Sequence, residues 1–500
     1  MKRNIIFGAV NKILLMLFPF LIRTVMIYKI GLQYVGLNSL FASILQVLNL
    51  TELGFSNAIV YSLYEPIANS NQNLISLYME FYKRVYRIIG LIIIGIGFCI
   101  LPFLKLFING EIPNDVNIYI LFLIYLFNTA ISYIFYGYKN ALINAHQRMD
   151  IISNISTISQ SVMYCFQIVI LLLVENYYIY LIMMPVFTVI NNILTKKVSD
   201  RLFPTVECKG TLSKEKIVGI KNQVKGLMIH RVCQVSRNSL DSIFISAYLG
   251  LNTAAIYSNY YYIITALNGI LAVLGNSMLA GIGNSIATES VEKNCNDMFN
   301  FNFMYMMLSG ICTVVLFCLY QPFMKIWVGK ESMLPMTAVI MLCVYFYILK
   351  MGDIRGIYSD AAGLWWENRH RAIVEAITNL ALNAILGWKF GIYGIIMATL
   401  ISLFVINFIF GSQIIFKYYF KNEKILQYYK TNFKYAVVTI IVAIGCYWFN
   451  DKLMVQGVGG LIIRGIIVGS VSVSLFLLIY CKTFEFKIAF NWFRKHALKK

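Results

Sequence analysis

Long apolar runs separated by short polar segments follow one another along the whole chain. A membrane-spanning helix requires roughly 20 mostly apolar residues, and windows of this length predict about fourteen spans. Their approximate bounds are 5–28, 38–63, 88–107, 117–138, 151–174, 177–195, 226–249, 253–284, 299–321, 335–358, 371–388, 391–416, 433–450 and 459–481. The pattern therefore predicts an all-α polytopic membrane protein.

The first twelve predicted spans form two sets of six that carry a sequence repeat. A shift of 219 residues places Gly31, Leu32, Ser39, Ile44, Leu48, Asn49 and Asn57 on Gly250, Leu251, Ser258, Ile263, Leu267, Asn268 and Asn276. In addition, PFLK at 102–105 returns as PFMK at 322–325, at the end of the third span of each half. Because six is an even number, both halves have the same orientation, as in transporters with parallel repeats.

This repeat predicts four segments along the chain. They are an N-terminal six-helix bundle at 1–200, a cytoplasmic linker at 201–225, a second six-helix bundle at 226–420, and an extra two-helix segment with a basic tail at 421–500. In the linker, Ser213 is a candidate helix cap, and Ile217, Ile220 and Val224 share one helix face. That pattern fits a helix lying in the membrane interface, and a solvated linker is the alternative.

Composition excludes a soluble enzyme. Hydrophobic residues make up 59% of the 500 residues, charged residues only 13%, and the mean hydropathy is +0.71. A soluble domain carries about 25% charged residues. The net charge of +20 does not indicate a nucleic-acid partner, because the Lys and Arg residues lie in short segments between apolar runs and form no basic module.

The positions of the basic residues predict the orientation. If the N-terminus is cytoplasmic, 30 of the 42 Lys and Arg residues fall in cytoplasmic segments and six in the opposite segments. Cytoplasmic loops carry such an excess of positive charge. We therefore expect a multi-pass protein of the cytoplasmic membrane with both termini in the cytoplasm.

The ten cysteines show no CxxC spacing, and most lie in apolar runs. Buried Cys behaves as a small hydrophobic residue. The sequence thus predicts neither a disulfide framework nor a metal site, and no cofactor.

Three short motifs resemble one known family. They are the run KIGLQYVGL at 29–37 with Arg23 before it, TELGFSNA at 51–58, and PFMKIWVG at 322–329. Together with the span pattern and the repeat, they resemble the bacterial polysaccharide transporters, which flip lipid-linked oligosaccharides such as O-antigen units. That family belongs to a superfamily that also holds multidrug and toxin exporters and lipid II flippases. The extra C-terminal pair resembles its fourteen-span members.

The resemblance implies a transporter rather than an enzyme. Two six-helix bundles would surround a central cavity that opens alternately to each side of the bacterial inner membrane. The cargo would be undecaprenyl-pyrophosphate carrying an oligosaccharide, moved from the inner to the outer leaflet for lipopolysaccharide or capsule synthesis. Membrane lipid and a polysaccharide polymerase are the other expected partners.

Cations inside spans are the candidate ligands for a pyrophosphate. A charged side chain at the membrane centre costs about 2.5–3.5 kcal/mol on insertion scales and usually faces a wet cavity or a partner. We predict this role for Arg23, Arg237 and Lys12. Alternatively, Asp241 neutralises Arg237 four residues away, and Arg23 and Lys12 extend to the membrane interfaces.

Other polar residues in the spans have two interpretations each. Gln46, Asn49, Asn268 and Asn276 are predicted to line a sugar path, although such residues also hold helices together. Glu52 and Asp241 are predicted ion-coupling sites; for Glu52, packing beside Asn49 or a hydrogen bond to another helix is the alternative.

A further group of charged span residues is expected to act at the membrane interfaces. Lys350, Asp353 and Arg355 are expected to pair at the cytoplasmic end of the tenth span, and Arg464, in the appended pair, is expected to extend to an interface or to contact lipid.

Two rival functions are considered. A cation-coupled multidrug exporter would share the architecture but would combine a membrane acid with an aromatic pocket. A membrane glycosyltransferase or polymerase would need a substantial extracytoplasmic loop, and the predicted outer loops are short.

Overall fold

The computed structural model describes residues 17–49, 55–421, 424–453 and 457–488, without the side chains at 57, 221–223, 225–234, 236–238, 276 and 280. Most of these residues are helical, and the described residues contain no β-strand. They form two compact units, Met1–Ser258 and Asn259–Lys500, called here the first and the second unit. The boundary lies beyond the predicted start of the second bundle at residue 226.

The first unit contains nine helices in the part that is described. They are α1 (17–29), α2 (Leu32–Leu48), α3 (Phe55–Ala68), α4 (Gln72–Ile100, continued by a 3₁₀ turn at Leu101–Phe107), α5 (Ile118–Ile134), α6 (Lys139–Ala145), α7 (Met149–Leu173), α8 (Tyr177–Leu202) and the first part of α9 (Lys214–Thr288). Asparagine side chains cap three of them: Asn71, Asn117 and Asn176 accept hydrogen bonds from backbone N–H groups at the start of α4, α5 and α8.

The second unit continues from α9. Its other elements are α10 (Val291–Trp327), a 3₁₀ turn (Lys330–Ser332), α11 (Met336–Met351), α12 (Asp353–Ala361), α13 (Arg369–Ile401), a π-helix (Ser402–Phe410), α14 (Gly411–Tyr418), α15 (Ile425–Asp451) and α16 (Gly457–Tyr480). The appended pair packs on α10, where the ring of Phe303 lies 5.7 Å from that of Tyr435 and 5.2 Å from that of Tyr480.

Glycines divide the longest helices. Gly250 interrupts α9 with φ 84° and Gly391 interrupts α13 with φ 57°, in the left-handed region that side chains other than glycine rarely adopt. Gly31, the repeat partner of Gly250, has a similar conformation, with φ 109° and ψ 165° against 84° and 172°. The repeat found in the sequence therefore also occurs in the backbone at this pair.

The predicted fold class is confirmed. The described residues contain nine helices that are long and apolar enough to cross a membrane, or ten if the bent pair α5–α6 is one span. Gly391 divides Arg369–Tyr418, and Gly250 divides α9, which begins at Lys214, into two pieces that are each about 20 residues or longer, which is enough for two spans apiece. With α1 and the shorter apolar helix α2, these helices accommodate the predicted number of about fourteen.

Several boundaries differ from the hydropathy windows. Helix α4 begins at Gln72 rather than near residue 88, because hydropathy marks only the apolar part of a helix that continues into a polar region. The span predicted at 117–138 ends at Ile134 and bends by 53° into α6. The helix expected near Ser213 is not separate: it is the start of α9, and Ile220 and Val224 are buried in the core of the first unit.

Candidate functional site

Arg23 lies between helices of the first unit. It is partly buried on α1, and its guanidinium donates a hydrogen bond to the hydroxyl of Ser258 on α9. Ser258 is itself buried and donates to the carbonyl of Ala255 at 2.9 Å. The hydrogen bond to Ser258 therefore joins α1 to α9.

Three other residues of the first unit that the sequence predicts as site residues form side-chain hydrogen bonds. Gln46 accepts a hydrogen bond from Ser239 at 3.0 Å, which joins α2 to α9. Asn49 accepts from Tyr133 at 3.3 Å, and the buried Asp241 accepts from Tyr257 at 3.3 Å. These contacts are the helix-joining alternative considered for polar span residues, and a direct role in sugar or ion binding stays a prediction.

The remaining predicted residues are described only in part. Lys12 and Glu52 lie outside the described residues, as do the side chains of Arg237 and Asn276. Pairing of Arg237 with Asp241 therefore stays a prediction. Asn268 is described: its side-chain oxygen is buried and has no hydrogen-bond partner in the described part of the second unit.

A cavity of about 460 Å³ lies inside the first unit, among α4 to α8. Its walls are amides, hydroxyls and aromatic rings together with a few apolar side chains. The lining residues are Tyr86, Asn128, Ser132, Tyr133, Gly137, Asn140, Ser159, Gln160, Met163, Tyr164, Met184, Phe187, Thr188, Asn191 and Asn192. None of them carries a formal charge.

Three oxygens on residues that line this cavity have no hydrogen-bond partner in the described part of the protein. The oxygens Asn140 Oδ1, Ser159 Oγ and Asn191 Oδ1 are buried and accept no hydrogen bond from the part of the protein that the structure describes. Other lining groups are fixed: Thr188 Oγ1 donates to Asn128 Oδ1 at 2.7 Å. Buried polar atoms normally have partners, so these three oxygens suit water or the hydroxyl groups of a neutral ligand.

Sequence reasoning missed this cavity. It placed the sugar path on the second and eighth spans, whereas the cavity is formed by the fourth, fifth and sixth. The available signal was the helical spacing of polar residues within those apolar spans, namely Asn128 with Ser132, and Thr188 with Asn191 and Asn192.

A group of charged residues is buried in the second unit. Lys350 Nζ lies 2.6 Å from Asp353 Oδ2, which also accepts a hydrogen bond from Tyr305 at 2.6 Å. Lys350 is only 5% exposed. The predicted pairing is therefore present and Lys350 is buried in the protein, while the expected position near the cytoplasmic membrane interface stays a prediction.

A chain of hydrogen bonds begins at Arg355, which is 4% exposed. Arg355 Nη2 donates to Asn407 Oδ1 at 3.0 Å, and Asn407 Nδ2 donates to Glu375 Oε2 at 3.0 Å. The same Glu375 oxygen lies 2.6 Å from Arg371 Nη1. For Arg355, too, the expected position near the cytoplasmic membrane interface stays a prediction.

Glycine makes room for this buried guanidinium. A Cβ at Gly411 would overlap Arg355 Nη1, and one at Gly352 would lie 3.1 Å from Nη2. The three cations Lys350, Arg355 and Arg371 face two carboxylates, so the cluster retains one positive charge. No group of three or more His, Cys, Asp or Glu side chains suited to a metal occurs among the described residues.

Comparisons with known proteins identify the fold. No family model matches the chain, and no curated protein matches its sequence. Among solved structures, an inward-facing multidrug resistance MATE family transporter of the MOP superfamily is similar with a TM-score of 0.62 and 13% identity, over 79% of this chain and 93% of that one. The lipid II flippase MurJ in an inward closed conformation also has a TM-score of 0.62 and 13% identity, over 96% of this chain and 100% of that one. A MOP superfamily transporter from Pyrococcus furiosus has a TM-score of 0.53 and 13% identity, over 82% and 95%.

The class that these matches define is the MOP-superfamily transporter fold. The chain is a multi-pass membrane protein with that fold. The match to the lipid II flippase leaves out at most about 20 residues of this chain, so it extends into the two C-terminal helices α15 and α16.

Proposed function

We propose that the protein is a flippase that moves an undecaprenyl-pyrophosphate-linked oligosaccharide from the inner to the outer leaflet of a bacterial cytoplasmic membrane. The observation that carries this proposal is the uncharged polar cavity of the first unit. A glycan presents many hydroxyl groups and needs no charged side chain for binding. It binds to amides, hydroxyls and aromatic faces. The cavity offers these three kinds of group.

The fold supports a lipid-linked cargo. The structure of a lipid II flippase matches nearly the whole of this chain, including part of the appended pair α15–α16. The name of that protein indicates a lipid cargo. By alternating access, such a protein carries the headgroup through a wet cavity while the lipid chains stay in the bilayer. In this scheme surface polysaccharide synthesis is the pathway, and a polysaccharide polymerase is the partner that consumes the flipped cargo.

Two kinds of site would share the cargo. Arg23, with Arg237 and Lys12, would hold the pyrophosphate, since a guanidinium presents two donors to phosphate oxygens. Ser258 keeps the Arg23 guanidinium in a fixed position between α1 and α9. The neutral cavity, with Gln46, Asn49, Asn268 and Asn276 as the predicted sugar path, would hold the glycan. Glu52 and Asp241 would serve ion coupling.

The experiment compares two cargoes in proteoliposomes: undecaprenyl pyrophosphate with and without an oligosaccharide. We expect the double variant Ser159→Ala, Asn191→Leu to reduce flipping of the glycan-bearing lipid by about tenfold, because two hydrogen-bonding positions are worth roughly 1.4 kcal/mol or more. Flipping of the lipid without glycan should be unchanged. The matched control is Thr157→Val, which alters a buried hydroxyl of the same helix outside the cavity lining. Equal loss for both cargoes, or none for either, would refute sugar binding in this cavity.

The second candidate is a cation-coupled multidrug exporter. It is favoured by the MATE transporter match, which has the same TM-score as the flippase match. The lining of the described cavity contains no carboxylate for a cationic drug, which favours the flippase. Export of a cationic dye by the same vesicles, competed by neither lipid cargo, would favour the exporter instead.

The proposed orientation has both termini in the cytoplasm. A cysteine at position 209 should then resist an impermeant maleimide added from outside, and a cysteine at 452 should react. Lys209 is well exposed, with a side-chain exposure of 78%. The neighbouring Cys208 is a poorer probe, because burial raises the pKa of its thiol and leaves less reactive thiolate. The opposite labelling pattern would reverse the orientation.

A further inference from the structure

A second cavity, of about 470 Å³, lies in the second unit at one end of the helices. It forms where α10 ends at Trp327, α11 begins at Met336, α15 ends at Asp451 and α16 begins at Gly457. We call it the α10–α16 crevice. Its location at helix ends puts it at a membrane surface, where lipid headgroups are found.

Two cations and one carboxylate line the crevice: Arg464, Lys325 and Asp451. Arg464 donates one guanidinium hydrogen bond to the carbonyl of Leu453. Its Nε is buried and has no acceptor among the residues that the structure describes. Lys325 is exposed and forms no ion pair with any described carboxylate, Asp451 included.

The geometry at Arg464 suits an anion. The bond to Leu453 fixes the guanidinium while Nε keeps a donor free, and Lys325 supplies a second positive charge on the same cavity wall. The amides of Gln321 and Asn450 also line the crevice. Asn450 donates to the carbonyl of Cys318 at 3.2 Å, and its side-chain oxygen has no described partner.

The other walls of the crevice are apolar, with Phe317, Ile326, Met333 and Leu461 among them. Apolar residues of α16 near the crevice are well exposed on the outer surface of the second unit: Val458 is 63% and Ile462 59% exposed. A ligand in the crevice therefore meets cations at its polar end and hydrocarbon-compatible surface beside them. A phospholipid has that combination of groups, whereas a free phosphate ion has only the first.

We propose that the α10–α16 crevice binds the phosphate of an anionic phospholipid, with Arg464 as the main ligand and Lys325 as the second. This site is separate from the polar cavity of the first unit, and it does not depend on which substrate the protein transports. It fixes a lipid where the appended pair α15–α16 meets α10.

Native mass spectrometry of the detergent-purified full-length protein tests this proposal, with phosphatidylglycerol and phosphatidylcholine as probes. The wild type should bind one phosphatidylglycerol at least tenfold more tightly than phosphatidylcholine. Arg464→Gln should remove most of this preference, Arg464→Lys about half of it on a logarithmic scale, and Lys325→Gln a smaller part. The matched control is Lys452→Gln, which removes the same charge from an exposed position near the crevice but outside its lining.

Three results would overturn the proposal. The first is equal affinity for both lipids in the wild type. The second is an unchanged preference in Arg464→Gln and Lys325→Gln, where a melting temperature near that of the wild type verifies folding. The third is displacement of the lipid by millimolar inorganic phosphate, which would assign the crevice to free anions. If Arg464→Gln does not fold, the Lys325→Gln and Arg464→Lys variants decide alone, since both keep at least one cation.

Discussion

Each unit contains one buried polar site described above, and the two sites differ in kind. In the first unit, an uncharged cavity presents oxygens without protein partners, such as Ser159 Oγ and Asn191 Oδ1. In the second unit, charged side chains from α11, α12 and α13 bind one another or Asn407. A cavity with free acceptors can exchange water for a ligand, while a mutually paired cluster fixes its helices in place.

Halves that share a sequence repeat therefore need not contain the same kind of buried polar site. The sequence repeat relates the two six-helix halves, yet the neutral polar cavity lies in the first unit and the charge cluster lies in the second. We infer that the first unit contacts the cargo and that the charge cluster of the second unit contributes rigidity. The following predictions test that division.

The largest expected effect is in the charge cluster. Arg371→Ala leaves Glu375 buried, and Glu375 is only 4% exposed, so the unfolding free energy should fall by about 3–5 kcal/mol. The matched control is Arg84→Ala. Arg84 forms an ion pair with Glu80 at the same four-residue spacing, but its side chain is 57% exposed. That change should cost at most about 1 kcal/mol. Similar melting temperatures for the two variants in detergent would mean that the cluster does not stabilise the second unit.

A smaller effect is expected where glycine makes room for the cluster. In Gly411→Ala the new methyl group meets the Arg355 guanidinium, which must move from Asn407, and we expect a loss of about 1–3 kcal/mol. Gly445→Ala on α15 is the control, because its Cβ would meet no atom within 4 Å. There alanine should be neutral or slightly stabilising, since it favours helix more than glycine does. Thermal unfolding of both variants measures the difference, and an equally stable Gly411→Ala would show that the guanidinium relocates freely.

The cavity of the first unit should respond in the opposite way. Ser159→Ala removes a buried hydroxyl that has no described partner, so stability should stay within about 1 kcal/mol of the wild type or rise. Flipping of the glycan-bearing lipid should nevertheless fall. A loss of stability similar to that in Arg371→Ala would place Ser159 in a structural network and remove the contrast between the units.

Much of the fold could be predicted from the sequence because the hydropathy of a membrane span is summed over a whole helix. Fourteen windows, the repeat and the helical class all follow from apolar length and spacing. The pairing of Lys350 with Asp353 was expected, whereas the burial of the charge cluster was not, because the sequence does not show which helix end enters the protein core. Arg371, for example, is only 7% exposed in its side chain and is bound to Glu375 four residues away. The cavity was missed because it requires polar residues of several helices to converge, and no local pattern fixes that convergence.

The smallest expected effect concerns a surface ion pair of the first unit. Lys29, at the end of α1, lies 2.7 Å from Glu175, between α7 and α8, with side-chain exposures of 39% and 49%. An exposed pair contributes about 0.2–1 kcal/mol, and salt screens it over about 10 Å at 0.1 M ionic strength. A double-mutant cycle with Lys29→Gln and Glu175→Gln should therefore give a coupling below about 1 kcal/mol that disappears in 1 M salt. The same cycle on Arg371 and Glu375 should give a larger coupling that persists in salt, because both partners are buried. Salt-independent coupling at Lys29 would show that this end of α1 is shielded from solvent, and it would weaken the contrast between an adaptable first unit and a fixed second one.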